Sequence, residues 1–90
     1  MKIREGMVLQ EIVGSYVVVP TGETARDFHN LIRMNKTGRD VWNGIAEGLA
    51  VHAIAKKMVE TYDGVTLETA EQTTQAVVDK LMAAKLILPD

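Results

Sequence analysis

The sequence predicts an α+β fold, a three-stranded antiparallel sheet followed by three helices in one domain over residues 1–90. Three observations predict it. β-Branched and aromatic residues gather in the first third, the apolar period changes from two to 3.6 beyond Met34, and caps or glycine stops divide the remainder into three segments. Met7 to Val13 and Tyr16 to Val19 read as strands, and Gly14-Ser15 between them suits a two-residue type II′ turn. Pro20, which has no N–H to give to a ladder, is expected to end the second strand, and Thr21 to Asp27 reads as a polar loop around Gly22. A third strand is expected over Phe28 to Met34. Its alternation puts Phe28, Asn30, Ile32 and Met34 on one face and His29, Leu31 and Arg33 on the other.

Asn35 is a good N-cap for a first helix with Gly38, Val41, Trp42 and Ile45 on one stripe and Gly48 as its stop. The stripe makes Trp42 a core residue. Val51, Ile54, Ala55, Met58, Val59 and Tyr62 define a second helix, which Asp63-Gly64 terminates. Thr66 caps a third, with Glu68 in its first turn where the helix dipole favours an acid. On this helix Ala70, Val77, Leu81 and Ala84 form one stripe, widened by Thr74, Val78 and Met82. That arc is broader than one helical neighbour requires. Leu86 to Leu88 is expected to form a closing strand or a tail on the core. The sum is a small winged-helix-like domain, a helix-turn-helix with a small sheet, although here the strands precede the helices.

Composition removes several chemistries. The chain has no cysteine, so disulfides, thiolate metal sites and thiol nucleophiles are excluded. His29 and His52 lie on different elements at no metal spacing, so neither a metal site nor a cofactor is expected. Glu68, Glu71 and Asp79 recur on the third helix, but acid–base catalysis needs a concave, water-excluding site, and no enzymatic activity is expected. Apolar runs such as Tyr16 to Val19 and Leu86 to Leu88 are far too short to span a bilayer, and no secretory apolar segment opens the sequence. A cytoplasmic protein with no membrane partner is expected. Ten Lys and Arg stand against twelve Asp and Glu, a formal charge of −2 that disfavours general polyanion binding.

The stretch Met34-Asn35-Lys36-Thr37-Gly38-Arg39-Asp40-Val41-Trp42 resembles the Leu-Asn-x-Thr-Gly-x-x-Ile-Trp signature of the PqqD-like family. The likeness continues through Val17 to Glu23, Phe28, Ile54-Ala55, Tyr62-Asp63, Val77-Val78, Leu81 and Leu86-Ile87. It departs at Ala50, where many relatives cap the second helix with Ser or Thr, and at Lys85, where many end the third with Gly. The resemblance implies a non-catalytic recognition element that binds the leader of a ribosomally made precursor peptide. The leader would be presented to a radical-SAM or other peptide-modifying enzyme. It also implies the site: the leader adds as a strand beside Asn30, Leu31, Ile32 and Arg33, and its side chains enter a groove against Thr74, Val77, Val78 and Leu81.

The residues lead to the same place independently, because a third strand after a hairpin is an edge with unpaired main-chain groups. Arg26, Arg33, Lys36 and Arg39 cluster around it, either to steer an acidic peptide or to protect the edge by charge. Two other readings stand beside this one. A DNA-binding winged helix would read with the third helix, whose Glu68, Glu71 and Asp79 outnumber Lys80 and have the wrong sign. An adapter or assembly protein would use the same edge, with edge-to-edge pairing giving a homodimer.

Overall fold

The computed structural model describes residues 1–27 and 32–89; the side chains of residues 24 and 27 lie outside that description. In chain order the elements are β1 (Lys2–Ile3), β2 (Met7–Ile12), β3 (Ser15–Pro20), α1 (Thr24–Asp27), β4 (Ile32–Met34), α2 (Lys36–Ala46), α3 (Val51–Thr61), α4 (Leu67–Ala83) and β5 (Ile87–Leu88). The expected sheet, β2-β3-β4, is antiparallel throughout. A second sheet pairs β1 with β5. The tail therefore closes as a strand, with an N-terminal partner too short to announce itself by alternation. Residues 24–27, expected to be loop, form one helical turn, closed by the Ala25 and Arg26 N–H groups on the carbonyls of Gly22 and Glu23. Of the third strand expected over residues 28–34, Phe28, His29, Asn30 and Leu31 lie outside the described residues.

The hairpin turn differs from expectation. Ile12 stands opposite Ser15, so the two-residue loop is Val13-Gly14, and both residues have positive φ, 45° and 78°. That is the type I′ signature rather than type II′ at Gly14-Ser15. In the register that goes with it Leu9 stands opposite Val18, both on the face toward the helices. Val13, a β-branched residue, thus occupies the left-handed region, which such residues rarely enter. Pro20 is the last residue of β3, as expected. It sits opposite Met7 within β3, in a pair whose main-chain groups point away from β2, so its missing N–H costs that ladder nothing.

The helices form where the caps predict. The Asn35 side chain accepts the Gly38 N–H at 2.8 Å, and Thr66 accepts that of Thr69 at 3.2 Å. Ala50 makes no side-chain cap, and Lys85 takes a φ of 62° just past α4, so both departures from the family pattern have local consequences. The core is continuous from Val18 on the sheet through Val41, Trp42 and Ile45 of α2, Ile54, Ala55 and Met58 of α3, to Ala70, Val78 and Leu81 of α4 and Ile87 of β5. On α4 the buried stripe is Ala70, Thr74, Val78 and Leu81, with Val77 and Ala84 at its margin rather than its centre. At Gly44 a Cβ would meet Ile54 Cγ1 at 2.6 Å, so α2 and α3 approach more closely than any side chain there allows.

The strained turn gives a direct test. Val13 is almost fully exposed, at 99%. Val13→Asn retains Gly14 and places the residue best suited to the first type I′ position, so it should raise stability by about 1 kcal/mol in urea denaturation. An unchanged or lower midpoint would contradict the type I′ assignment.

Candidate functional site

The open side of β4 is the starting point. In a two-residue hairpin the residues flanking the loop exchange both main-chain bonds, and the groups of successive residues then alternate sides. Ile12, Gln10 and Val8 therefore bond to Ser15, Val17 and Val19. Consistent with this, the Met7 N–H points away from β3 and donates to the Arg4 carbonyl, while the Thr21 N–H reaches the Gly6 carbonyl at 2.7 Å. Tyr16 and Val18 are left to bond Met34 and Ile32, their partners in register. The N–H and C=O of Arg33 consequently face the open edge, and no strand pairs there among the described residues.

Side chains make a groove beside that edge. Ile32 and Met34 turn inward onto the core, half-buried, while Arg33 is exposed. A groove of about 190 Å³ runs between β4 and α4, with Met34 and Gly38 on one wall, Val77 and Leu81 on the other, and Arg33 and Lys80 at its rim. The wall at Gly38 exists because that residue lacks a Cβ, which would stand 3.0 Å from the Cβ of Met34. Arg33 and Lys80 form no ion pair among the described residues. The groove is thus apolar in its depth and positive at its mouth. Among the described residues its lining contains no carboxylate, imidazole or hydroxyl to move a proton.

Among the residues singled out from sequence, Ile32, Arg33, Val77 and Leu81 come together here. Thr74 and Val78 do not line the groove. Both are buried in the core, and the Thr74 hydroxyl donates to Met58 Sδ at 3.7 Å across the α3–α4 contact. Asn30 and Leu31 lie outside the described residues. Met34, Asn35, Gly38 and Lys80 line the groove without having been singled out as site residues. The first three were legible as a helix start, and Lys80 follows Val77 by three residues, which places the two on one side of a helix.

A polar brace fixes the angle between the sheet and the helices. Arg39 lies over the Tyr16 ring, 4.9 Å from its centroid, and donates from Nη1 to the Tyr16 hydroxyl at 2.9 Å. Its Nε and Nη2 donate to Asp40 Oδ1 at 3.0 and 2.8 Å, and the Tyr62 hydroxyl donates to Asp40 Oδ2. Arg39 is therefore occupied in structure and does not belong with Arg33 at the groove. The bond to Asp40, then Asp40's charge and that of Tyr16, raise the guanidinium's pKa despite some desolvation. Tyr62 is likewise held above the usual phenol range, first by its bond to Asp40 and then by burial. Two of the three carboxylates of α4 are engaged elsewhere: Glu71 meets His52 at 2.7 Å, and Asp79 accepts from Gln75 at 2.8 Å. Among the described residues no three His, Asp or Glu side chains gather as a metal site would require.

The profile described as Coenzyme PQQ synthesis protein D (PqqD) matches residues 7–87. The chain belongs to the PqqD family. No curated protein matches this PqqD-family chain significantly. Two solved structures share its fold. One, TbiB1 in complex with the TbiA(beta) leader peptide, aligns over 100% of both chains with a TM-score of 0.77 and 20% identity. The other, a lasso peptide synthetase B1 complexed with the leader peptide, aligns over 98% of this chain and 96% of that one, at 0.78 and 17%. At such identity the likeness carries the winged-helix-like architecture.

The Tyr62–Asp40 bond predicts an alkaline dependence. Tyr62 titrates higher when folded than when unfolded, so its stabilisation is complete below the unfolded value near 10 and is lost as pH rises through the folded value. Tyr62→Phe should cost about 1 kcal/mol at neutral pH and flatten the fall in stability above about pH 10. Urea denaturation across that range would show it; parallel slopes for the two proteins would contradict the assignment.

Proposed function

We infer that this PqqD-family domain is a non-catalytic, cytoplasmic recognition element that binds the leader of a precursor peptide as an added strand on β4. It presents that peptide to a separate modifying enzyme, of the radical-SAM type or another. The observation that carries this reading is the outward-facing main chain of Arg33 beside the β4–α4 groove. Leader complexes among the proteins of similar fold support it. Main-chain bonds along an added strand give sequence-independent affinity, and every second side chain of the peptide falls on the groove side. The groove has room for one Leu- or Phe-sized side chain, whose burial contributes roughly 1.5 to 3 kcal/mol. Residues 30–33 are the proposed docking strand. Val77 and Leu81 select the anchor, while Thr74 and Val78 hold α4 in place behind them.

The unpaired cations at the rim favour an acidic residue flanking that anchor, through Arg33 on one side and Lys80 on the other. A nucleic-acid ligand fits less well. Helix α4 would be the reader, and its outer surface carries Glu68 and Asp79 against Lys80. The bound leader would be released to the modifying enzyme without any covalent step on this domain.

Proline scanning separates strand addition from other modes of binding. Arg33→Pro removes an outward N–H and should leave the helical circular dichroism unchanged. It should weaken binding of a labelled cognate leader by at least about tenfold, since the peptide's carbonyl is left unsatisfied. Ile32→Pro removes a bond to Val18 and should unfold the sheet. Arg33→Ala should weaken binding modestly and reduce its dependence on salt. If Arg33→Pro stayed folded and bound the leader unchanged, strand addition on β4 would have to be abandoned.

A further inference from the structure

The sheet has a second open edge, β2, and the two edges differ in character. β4 carries Arg33, a charge of the kind that discourages pairing with the wrong chain. β2 is six residues long, contains no Lys, Arg or Pro, and has Glu11 as its one charge. Val8 and Ile12 on its outer face are 42% and 52% exposed. No strand covers its free side among the described residues, and α2 packs over β3 and β4. Residues 10–15, the outer half of the hairpin, are exposed throughout, so a second sheet edge can approach there.

We propose that β2 pairs antiparallel with β2 of a second copy of this chain, giving a two-fold dimer with one continuous six-stranded sheet. The inference is independent of the leader reading, since both β4 edges remain free at the two ends. The register follows from what the edge offers. Val8, Gln10 and Ile12 direct their main-chain groups to β3, and the Met7 N–H is used by Arg4, so Leu9 and Glu11 carry the complete free sets. An isologous interface needs like faces on like sides, which restricts the pairing to symmetric registers with residues of the same parity opposed.

Among these, centring the axis on Leu9 leaves Glu11 opposite Met7, whose N–H is already committed. Centring it on Glu11 sets two carboxylates directly opposite, which is repulsive. Centring it on Gln10 pairs Leu9 with Glu11 of the other copy, and the reverse, so that all four free groups on each strand are bonded. The same register sets Val8 beside Ile12 in the closer, non-bonded pairs and lets the two Gln10 amides meet at the axis.

The test uses the full chain. Sedimentation of the wild-type protein should show mass rising with concentration from 9.9 kDa toward twice that value. Ile12→Lys, on the exposed face, should keep the helical circular dichroism and move that transition to at least about tenfold higher concentration. Because the chain has no cysteine, Gln10→Cys should cross-link to itself under mild oxidation. Paired Cα atoms at the axis stand about 4.5 Å apart, within disulfide range. It should react about tenfold faster than Lys56→Cys on the exposed face of α3, because pairing raises the local thiol concentration. A chain that stays at 9.9 kDa at millimolar concentration would overturn the proposal. So would equal cross-linking rates for the two variants, or preferential cross-linking of Arg33→Cys, which would place the contact at β4.

Discussion

Gly38 has no Cβ, and an atom there would stand 3.0 Å from the Cβ of Met34. The chain leaves β4 at Met34 and enters α2 one residue later, with Asn35 closing the helix on the Gly38 N–H. That tight elbow sets how α2 leans on the sheet, and the lean leaves space between β4 and α4. Any side chain at Gly38 would push the helix away from the strand or fill the groove directly. The rest of the architecture respects the same constraint: the Tyr16–Arg39–Asp40–Tyr62 brace holds the helical layer from the opposite side of α2 and adds hydrogen bonds where packing alone would permit rocking.

The same sheet offers its two edges under different terms. At β4 a deep apolar wall from α4 stands behind the backbone, so an added strand can be chosen by its side chains as well as by its main chain. At β2 the free backbone is flanked by the exposed Val8 and Ile12, and choice there rests on the pattern of the strand itself. A short domain has too few residues to cover both edges and still build a core, and the outer row of Val8 and Ile12 reflects that shortage.

Much of this was legible in the sequence, for identifiable reasons. Asn35 and Thr66 are cap residues whose side chains have one good use at those places, and both perform it. The buried stripe of α2 follows directly from the spacing of Gly38, Val41, Trp42 and Ile45. The groove was partly legible, because the family resemblance points to Ile32, Arg33, Val77 and Leu81, and strand alternation and the broad α4 arc agree with it. Thr74 and Val78 belong to the same arc, and periodicity cannot say which part of a wide arc a neighbour covers. The hairpin turn differs from expectation because Gly14 suits either turn type, and the register of the strands, Ile12 opposite Ser15, decides between them. The β1–β5 sheet was invisible, since two residues have no period and their partners lie at opposite ends of the sequence.

That small sheet has a consequence for how the domain sits in larger proteins. Lys2 is paired with Leu88 and Ile3 with Ile87, while the Arg4 N–H is held by the Leu86 carbonyl. Polypeptide entering the fold and polypeptide leaving it are therefore neighbours, separated by the width of one strand pairing, about 5 Å. A unit with such closely set ends can be spliced into a surface loop of a host enzyme with little loop-closure entropy lost, and its own strands would seal the junction. Neither β2 nor β4 takes part in that junction, so a host could carry the domain as an insert with both edges of the larger sheet left clear of it.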